Sequence, residues 1–320
     1  MPAAFIPSPA RGLWHIGPVP LRGYALCVLL GIVVCLWVTG LRYRRIGGCP
    51  GQVLDIATVA VPFGLVGARA YGVLASIHLY FGHDRDWVNV LRIWDGGFGM
   101  PGGVAAGALG AWIACRRLGV RLGPLAGAAA PGLAFAAAIA SWGNWFSQEM
   151  YGRPAGVSWA VEIAPMQRVP GYENFATFQP LFLYESIWDV LAGVLVILAA
   201  RRFQLTGART FACYAALQAT GSLCTGMLRI GRMERLAGIA VSQILLALVL
   251  VGAVGYLYLT RARKGPDAVE PAVGDAPGSG AVAVAGAPGG SVPAAGGVPS
   301  GDADRRAGSG PGGAASPSFH

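Results

Sequence analysis

The sequence is poor in charged residues. Only 12% of its 320 residues are Asp, Glu, Lys or Arg, whereas 54% are hydrophobic. Soluble domains carry about a quarter charged residues. The composition therefore excludes an ordinary soluble domain and indicates a chain that uses lipid as its solvent.

Lysine is nearly absent, because Lys264 is the only lysine among 24 basic side chains. The net charge of +9 could suggest a nucleic-acid-binding protein, but the arginines stand in short clusters between apolar runs. Clusters of this kind determine the topology of membrane proteins. The charge is therefore interpreted as a topology signal, and no nucleic acid is expected as a partner.

Cysteine pairs suited to metal binding are also missing. None of the six cysteines forms a CxxC motif, and five lie in or beside apolar runs. Such cysteines usually behave as small buried hydrophobes. Because no other cluster of metal ligands is visible, we expect neither a metal ion nor an organic cofactor.

Long apolar runs are abundant, and seven of them approach the roughly 20 residues that a helix needs to cross a bilayer. They lie at about 24–41, 53–75, 96–115, 123–142, 183–200, 210–228 and 237–259. The predicted fold class is all-α, a polytopic transmembrane bundle of about seven spans. The third and fourth runs are rich in Gly and Ala, so these two helices are predicted to be central and closely packed. No inverted repeat is visible, which argues against a transporter.

The composition changes near residue 263. The segment 264–320 consists mainly of Gly, Ala, Pro, Ser and Val, and it contains almost no large apolar side chain. Such a segment cannot bury enough surface to offset its conformational entropy. We therefore expect a transmembrane domain at 1–263 and a disordered tail at 264–320.

Arginine-rich loops follow every second apolar run, at 42–45, 116–121, 201–209 and 261–264. Because basic loops stay in the cytoplasm, the prediction places the N-terminus outside and the C-terminal tail in the cytoplasm. Arg229, Arg232 and Arg235 break this rule, since they lie together on the predicted outer side. A basic cluster held against the charge rule is expected to have a function.

The richest polar stretch, GNWFSQEMYGRP at 143–154, directly follows the fourth apolar run. An interfacial belt of Trp and Tyr would explain its aromatic residues. It would not explain Asn144, Gln148, Glu149 and Arg153, because amide and charged groups at membrane depth are costly and mark functional sites.

This stretch resembles the signature of the bacterial prolipoprotein diacylglyceryl transferase family. Shorter segments agree with that family in order and spacing: WHIGP and LRGYAL at 14–18 and 21–26, GARAY at 67–71, WDGG at 94–97, GG at 102–103, QPLFLYES at 179–186 and MLRI at 227–230. The resemblance covers about residues 13–260 and suggests a divergent member of the family.

The resemblance implies a multi-pass enzyme of the bacterial cell membrane. It would transfer the diacylglyceryl group of phosphatidylglycerol to the lipobox cysteine of preprolipoproteins, the first step of lipoprotein maturation. Phosphatidylglycerol, lipobox signal peptides and the bilayer are the expected partners. The thiol must lose its proton to become a nucleophile, and cations would stabilise the phosphate leaving group.

The resemblance also assigns catalytic roles to Asn144, Glu149 and Tyr24. Asn144 would bind headgroup oxygens, Glu149 would orient an arginine or accept a proton, and Tyr24 would lie near the lipid. Two alternatives stay open. Glu149 could instead form a helical salt bridge with Arg153, and Tyr24 could be an interfacial belt residue.

Lipid and phosphate binding is assigned to Arg69, Arg153, Arg229 and Gly152. Arg69 lies inside an apolar run and is expected to contact the headgroup within the membrane. Arg153 and Arg229 are either phosphate ligands or interfacial anchors. Gly152 is expected to serve a tight turn or a close approach of the lipid.

Three positions depart from the family pattern. Ser141 and Ser222 stand where the family has arginine, and Gly226 stands where it has glutamate. Serine cannot supply a positive charge to a phosphate. The alternative function is therefore an impaired relative that binds phosphatidylglycerol or signal peptide without transfer, unless the basic cluster that begins at Arg229 compensates.

Overall fold

The computed structural model describes residues 5–9, 12–16, 19–76, 97, 99–230, 235–236 and 239–261. Seven α-helices dominate this part of the chain. They are α1 (Gly23–Arg45), α2 (Pro50–Ala75), α3 (Met100–Arg117), α4 (Leu122–Ser147), α5 (Leu181–Arg202), α6 (Gly207–Leu228) and α7 (Val241–Leu259). Each helix overlaps one predicted apolar run, so the all-α prediction is confirmed.

The protein is a membrane protein. Five of the described helices, α1, α2, α4, α5 and α7, are long and apolar enough to span a bilayer. The other two, α3 and α6, carry more glycine or more polar side chains. Spans by α3 and α6 stay a prediction.

The central helix is α4, which packs against α1, α5 and α6. Small residues make this possible, since Ala130 and Ala134 have no exposed surface. Gly132 lies against α1, where an added Cβ would be 2.9 Å from the carbonyl oxygen of Cys35. The Gly and Ala content of this run therefore predicted its position correctly.

The other glycine-rich helix, α3, packs mainly against α2. An added Cβ at Gly67 would lie 2.6 Å from the carbonyl oxygen of Gly102, so the two backbones touch directly. Close packing of α3 is thus confirmed, but its predicted central position is wrong. Small residues show that a helix is closely packed without showing which helix is its partner.

The described residues also form three short antiparallel strand pairs, one before α1 and two in connections between helices. They pair β1 (Leu13–Ile16) with β2 (Val19–Arg22), β3 (Val161–Glu162) with β4 (Thr177–Phe178), and β5 (Arg235–Leu236) with β6 (Ile239–Ala240). The hairpin of β3 and β4 belongs to residues 148–180, called the cap below, which connect α4 to α5. A cluster of Tyr151, Val161, Ile163, Phe178 and Phe182 forms the core of the cap.

Short loops at 46–49, 118–121 and 203–206 connect the helices at the opposite end of the bundle, called the basic end below. The predicted cytoplasmic arginines lie in and beside these loops. Several predictions fall outside the described residues and are not tested by the structure. They concern the WDG part of the glycine-rich motif, Arg232, the side chain of Arg235 and the tail at 264–320.

Gly67→Val should destabilise the contact between α2 and α3, because the added side chain would meet the Cβ of Ala106 and the carbonyl oxygen of Gly102, and neither atom can rotate away. Overpacking of this kind costs about 1–3 kcal/mol. Gly51→Val is the matched control in the same helix, since nothing lies within 4 Å of its Cβ position. Thermal unfolding in detergent micelles measures the difference, and equal melting temperatures for the two variants would contradict the prediction.

Candidate functional site

The chain leaves α4 through a left-handed residue. Gln148 has a φ of 54°, and its backbone N–H donates to the carbonyl oxygen of Asn144 at 2.9 Å. Its side-chain oxygen accepts a hydrogen bond from the backbone N–H of Ala164 at 2.9 Å, which fixes the turn into the cap. Glu149 and Arg153 therefore follow the helix and do not share a helical face. Among the described residues no ion pair joins them, so the alternative of a helical salt bridge is wrong.

The start of α1 packs against the end of α4. The ring of Tyr24 lies on Gly143, where an added Cβ would be 2.6 Å from its Cδ2 atom. One residue earlier, Gly23 lies against the ring of Phe146. Asn144 follows Gly143 and is half-buried. The predicted pair of Tyr24 and Asn144 therefore occupies one corner of the bundle.

Two carboxylates approach this corner. Glu149 at the start of the cap and Glu185 on α5 both interact electrostatically with Tyr24. Glu185 also interacts with the hydroxyl group of Thr225 and with Arg229. Three helices, α1, α5 and α6, and the cap thus contribute to a single polar cluster, and α4 packs beside it through Gly143.

Arg229 follows the last residue of α6 and is held by backbone contacts with the cap. It forms an antiparallel bridge with Gly152, and the N–H of Ile230 donates to the carbonyl oxygen of Tyr151 at 3.4 Å. Much of its side chain is exposed, yet partial desolvation lowers the pKa of Arg229, and the Glu185 carboxylate opposes that shift. The guanidinium stays cationic, because an arginine pKa lies far above neutral pH.

Gly152 lies where three backbone segments meet. Its N–H donates to the carbonyl oxygen of Gln179 at 2.9 Å, and an added Cβ would be 2.9 Å from the Cβ of Gln179 and 3.2 Å from the carbonyl oxygen of Leu228. Its φ is not in the left-handed region, so its backbone conformation does not itself require glycine, and the predicted roles of Gly152 in a tight turn or a close approach of the lipid stay predictions. The glycine instead allows the α6 end to approach the cap.

The side-chain oxygen of Gln179 is buried and has no hydrogen-bond partner among the described residues. It lies beside Gly152, 3.3 Å from the position that a Cβ would take there. A buried acceptor without a partner is destabilising. A bound ligand with a hydroxyl or amide donor would satisfy it.

The other two predicted arginines belong to the cap and to α2. Arg153 is in the cap, where its side chain is exposed and its carbonyl oxygen accepts the N–H of Gln179 at 3.0 Å. Arg69 is buried in α2 with 6% of its surface exposed. The contacts that define the cluster join α1, α5, α6 and the cap, so the participation of Arg69 stays a prediction.

The positions that depart from the family pattern are filled without charge. Ser141 is buried, and its hydroxyl donates back to the carbonyl oxygen of Ala137 at 3.0 Å. Gly226 faces α7, where the amide nitrogen of Gln243 lies 3.2 Å from its Cβ position. Near Glu185 the positive charge therefore comes from Arg229.

An apolar cavity of about 420 Å³ lies between α1, α4 and α5. Trp142 and Ser186 line it at the level of the polar cluster, and the indole N–H of Trp142 donates to the Ser186 hydroxyl at 3.1 Å. Leu30, Phe135 and Val190 line it deeper in the bundle. Phe135 and Trp142 are seven positions apart on α4, so at 1.5 Å per position the cavity is about 10 Å deep.

The sequence interpretation missed Glu185, Thr225 and Asp189. Asp189 is buried one turn below Glu185 and contacts the side chain of Gln218. Two carboxylates inside an apolar run are a strong signal, because each is costly in lipid. Although acidic residues gather here, no group of three or more His, Cys, Asp or Glu side chains in the described part could hold a metal ion.

Comparison with known proteins identifies relatives of this chain. The family model described as prolipoprotein diacylglyceryl transferase matches residues 11–259. A phosphatidylglycerol–prolipoprotein diacylglyceryl transferase of Streptomyces avermitilis is 47% identical over 88% of this chain and 82% of its own length. The phosphatidylglycerol–prolipoprotein diacylglyceryl transferase 1 of Streptomyces coelicolor is 46% identical over 86% of this chain and 81% of its own length. The Frankia alni transferase is 49% identical over 82% of this chain and 70% of its own length.

Gly152→Ala should separate the α6 end from the cap, because its methyl group would press on Gln179 and on the carbonyl oxygen of Leu228. The expected loss is about 1–3 kcal/mol of unfolding free energy. Gly156→Ala in the same cap is the control, since nothing lies within 4 Å of its Cβ position. Hydrogen exchange at residues 228–230 should accelerate only in the Gly152 variant, and unchanged exchange there would contradict the prediction.

Proposed function

The chain belongs to the prolipoprotein diacylglyceryl transferase family, and we propose that it transfers the diacylglyceryl group of phosphatidylglycerol to the thiol of a lipobox cysteine in preprolipoproteins. It is a transferase of lipoprotein biosynthesis in the membrane. One observation supports the assignment of the site: a cation and two carboxylates meet beside an apolar cavity at the cap end of the bundle. The cation suits a phosphate, the cavity suits an acyl chain, and a carboxylate suits a thiol proton.

The lipid lies with an acyl chain in the cavity between α1, α4 and α5. The acyl chain comes from the bilayer, which is already apolar, so van der Waals packing against the cavity wall favours its binding there. Its phosphate then reaches the cluster, where the guanidinium of Arg229 binds it in fork geometry. Asn144 donates to headgroup oxygens. The buried oxygen of Gln179 accepts a hydrogen bond from a hydroxyl of the headgroup glycerol.

Transfer requires a thiolate, because the thiol itself is a weak nucleophile. Glu149 accepts the thiol proton at the exposed edge of the cluster. The sulfur then forms a bond with the glyceryl carbon as the bond from that carbon to the phosphate oxygen breaks. The electron pair leaves with glycerol phosphate, where Arg229 stabilises the developing charge. Glu185 holds Arg229 in place, and Tyr24 contacts the reacting headgroup.

The cap end faces the outside of the cell in this proposal, with the N-terminus outside and the C-terminal tail in the cytoplasm. The arginine-rich loops of the basic end support this orientation. Arg153 and Arg69 provide further positive charge for the headgroup. Binding without transfer gains no support from the site, because Arg229 supplies a cation where the family's arginines are replaced.

Reconstitution tests the activity and the role of Arg229 together. The full chain in phosphatidylglycerol vesicles should add one diacylglyceryl group to a synthetic lipobox peptide, detected by mass spectrometry, and none to the Cys→Ser peptide. Arg229→Gln should lower the rate about 10–100-fold, the loss expected for one charge-assisted hydrogen bond. Arg44→Gln at the basic end is the control. Lipid binding without product would favour the impaired alternative, and full activity of Arg229→Gln would remove that residue from the mechanism.

The two carboxylates should differ in their effects on kcat and KM. Glu149→Gln should lower kcat, because the thiol proton loses its acceptor, with little change in KM for phosphatidylglycerol. Glu185→Gln should mainly raise that KM, because Arg229 loses the carboxylate that attracts it. Steady-state kinetics in the vesicle assay measure both quantities. The reverse assignment of the two effects would make Glu185 the base.

A further inference from the structure

A second cavity, of about 400 Å³, lies at the basic end where α3 passes into α4. Trp112 and Arg116 of α3 line one part, and Arg121 and Leu122 line the part where α4 begins. The cap lies at the other end of α4, which at 1.5 Å per residue is about 39 Å away. The cavity is therefore separate from the proposed transferase site.

The polar groups of this cavity suit an anion. The guanidinium carbon of Arg116 lies 5.3 Å from the ring centroid of Trp112, a cation–π contact. A guanidinium that stacks through its face keeps its in-plane N–H donors for a carboxylate or phosphate. Arg121 adds a second guanidinium, and none of the described residues that line the cavity is acidic.

The rest of the lining suits a lipid. Cys115 and Val120 contribute apolar surface, and the side chains of Trp112 and Leu122 are 45% and 39% exposed at the rim. Trp and Arg side chains of membrane proteins prefer the level of the lipid headgroups. A free phosphate would leave this apolar surface in water, whereas the glycerol and acyl carbons of a phospholipid would cover it.

The position of the cavity also favours a lipid. It lies where two helices meet at the basic end, and its lining carries two arginines. Basic pockets between transmembrane helices are typical binding sites for anionic lipid headgroups.

We propose that the cavity between Trp112, Arg116, Arg121 and Leu122 binds the phosphate of an anionic glycerophospholipid from the leaflet at the basic end. The two guanidinium groups hold the phosphate oxygens. The indole of Trp112 and the side chain of Leu122 contact the glycerol and the first acyl carbons. The site anchors the α3–α4 connection to that leaflet and takes no part in transfer.

Native mass spectrometry of the full chain, titrated with dioleoyl phosphatidic acid in detergent, tests this site. The double variant Arg116→Gln/Arg121→Gln should bind the tightest lipid at least about tenfold more weakly than the parent chain. Arg44→Gln/Arg45→Gln is the matched control, because both arginines are exposed at the same end and neither lines the cavity. The same comparison is repeated in an Arg229→Gln background, where the transferase site lacks its phosphate contact. The loss caused by the double variant should persist there, so the result is independent of the transferase proposal.

Two further arms identify the ligand. Dioleoyl phosphatidylcholine should bind more weakly than phosphatidic acid, and Trp112→Ala should weaken the binding of phosphatidic acid. The proposal is overturned if the double variant binds like the parent, if the control loses affinity equally, or if phosphatidylcholine binds as tightly. Displacement of the lipid by millimolar inorganic phosphate would also overturn it, since the site would then serve free phosphate. Circular dichroism confirms that each variant is folded.

Discussion

The pairing of Arg229 with Glu185 is the interaction on which the cap end of the bundle depends. A charged group at membrane depth is strongly destabilising unless it has a partner of opposite charge. Glu185 stands in the apolar run of α5, and Arg229 follows α6, so these two helices must be aligned at their ends. The cap contributes to the same alignment, because it holds the backbone of Arg229 through Gly152. The same contact between Glu185 and Arg229 therefore serves the packing of the helices and the proposed function, in which lipid and peptide bind at this end of the bundle.

Uncharged residues occupy two positions near the cap end of the bundle. Ser141 turns its hydroxyl onto its own helix, and Gly226 leaves room for the amide of Gln243 from α7. Among the described residues, Arg229 is a cation that interacts with Glu185, so its position matters for the proposed function. The apolar cavity beneath it lies between α1, α4 and α5, the helices that also supply Tyr24, Asn144 and Glu185. A lipid could accordingly contact the polar cluster and the apolar cavity at once.

Much of this arrangement could be predicted from the sequence, for identifiable reasons. The seven helices were predictable because bilayer thickness fixes the length of an apolar run. The family resemblance assigned roles to Tyr24 and Asn144 separately; the structure packs Tyr24 on Gly143, the neighbour of Asn144, and the roles of both residues stay predictions. The left-handed Gln148 could not be foreseen, since non-glycine residues rarely adopt a positive φ, and so the Glu149–Arg153 alternative failed. Glu185 was overlooked although its cost in lipid was visible. The partner of α3 was not predictable, because composition reports how closely helices pack and not which ones.

The direct backbone contact between α2 and α3 has an evolutionary consequence. Most crowded positions can accept a larger residue once a neighbouring side chain has been trimmed. At Gly67 that route is closed on the side of Gly102, because the obstruction there is a carbonyl oxygen, which every amino acid retains. A larger residue at Gly67 therefore requires α2 and α3 to move apart. The spacing between α2 and α3 should therefore stay constant among descendants of this protein while the sequences of the surrounding loops diverge.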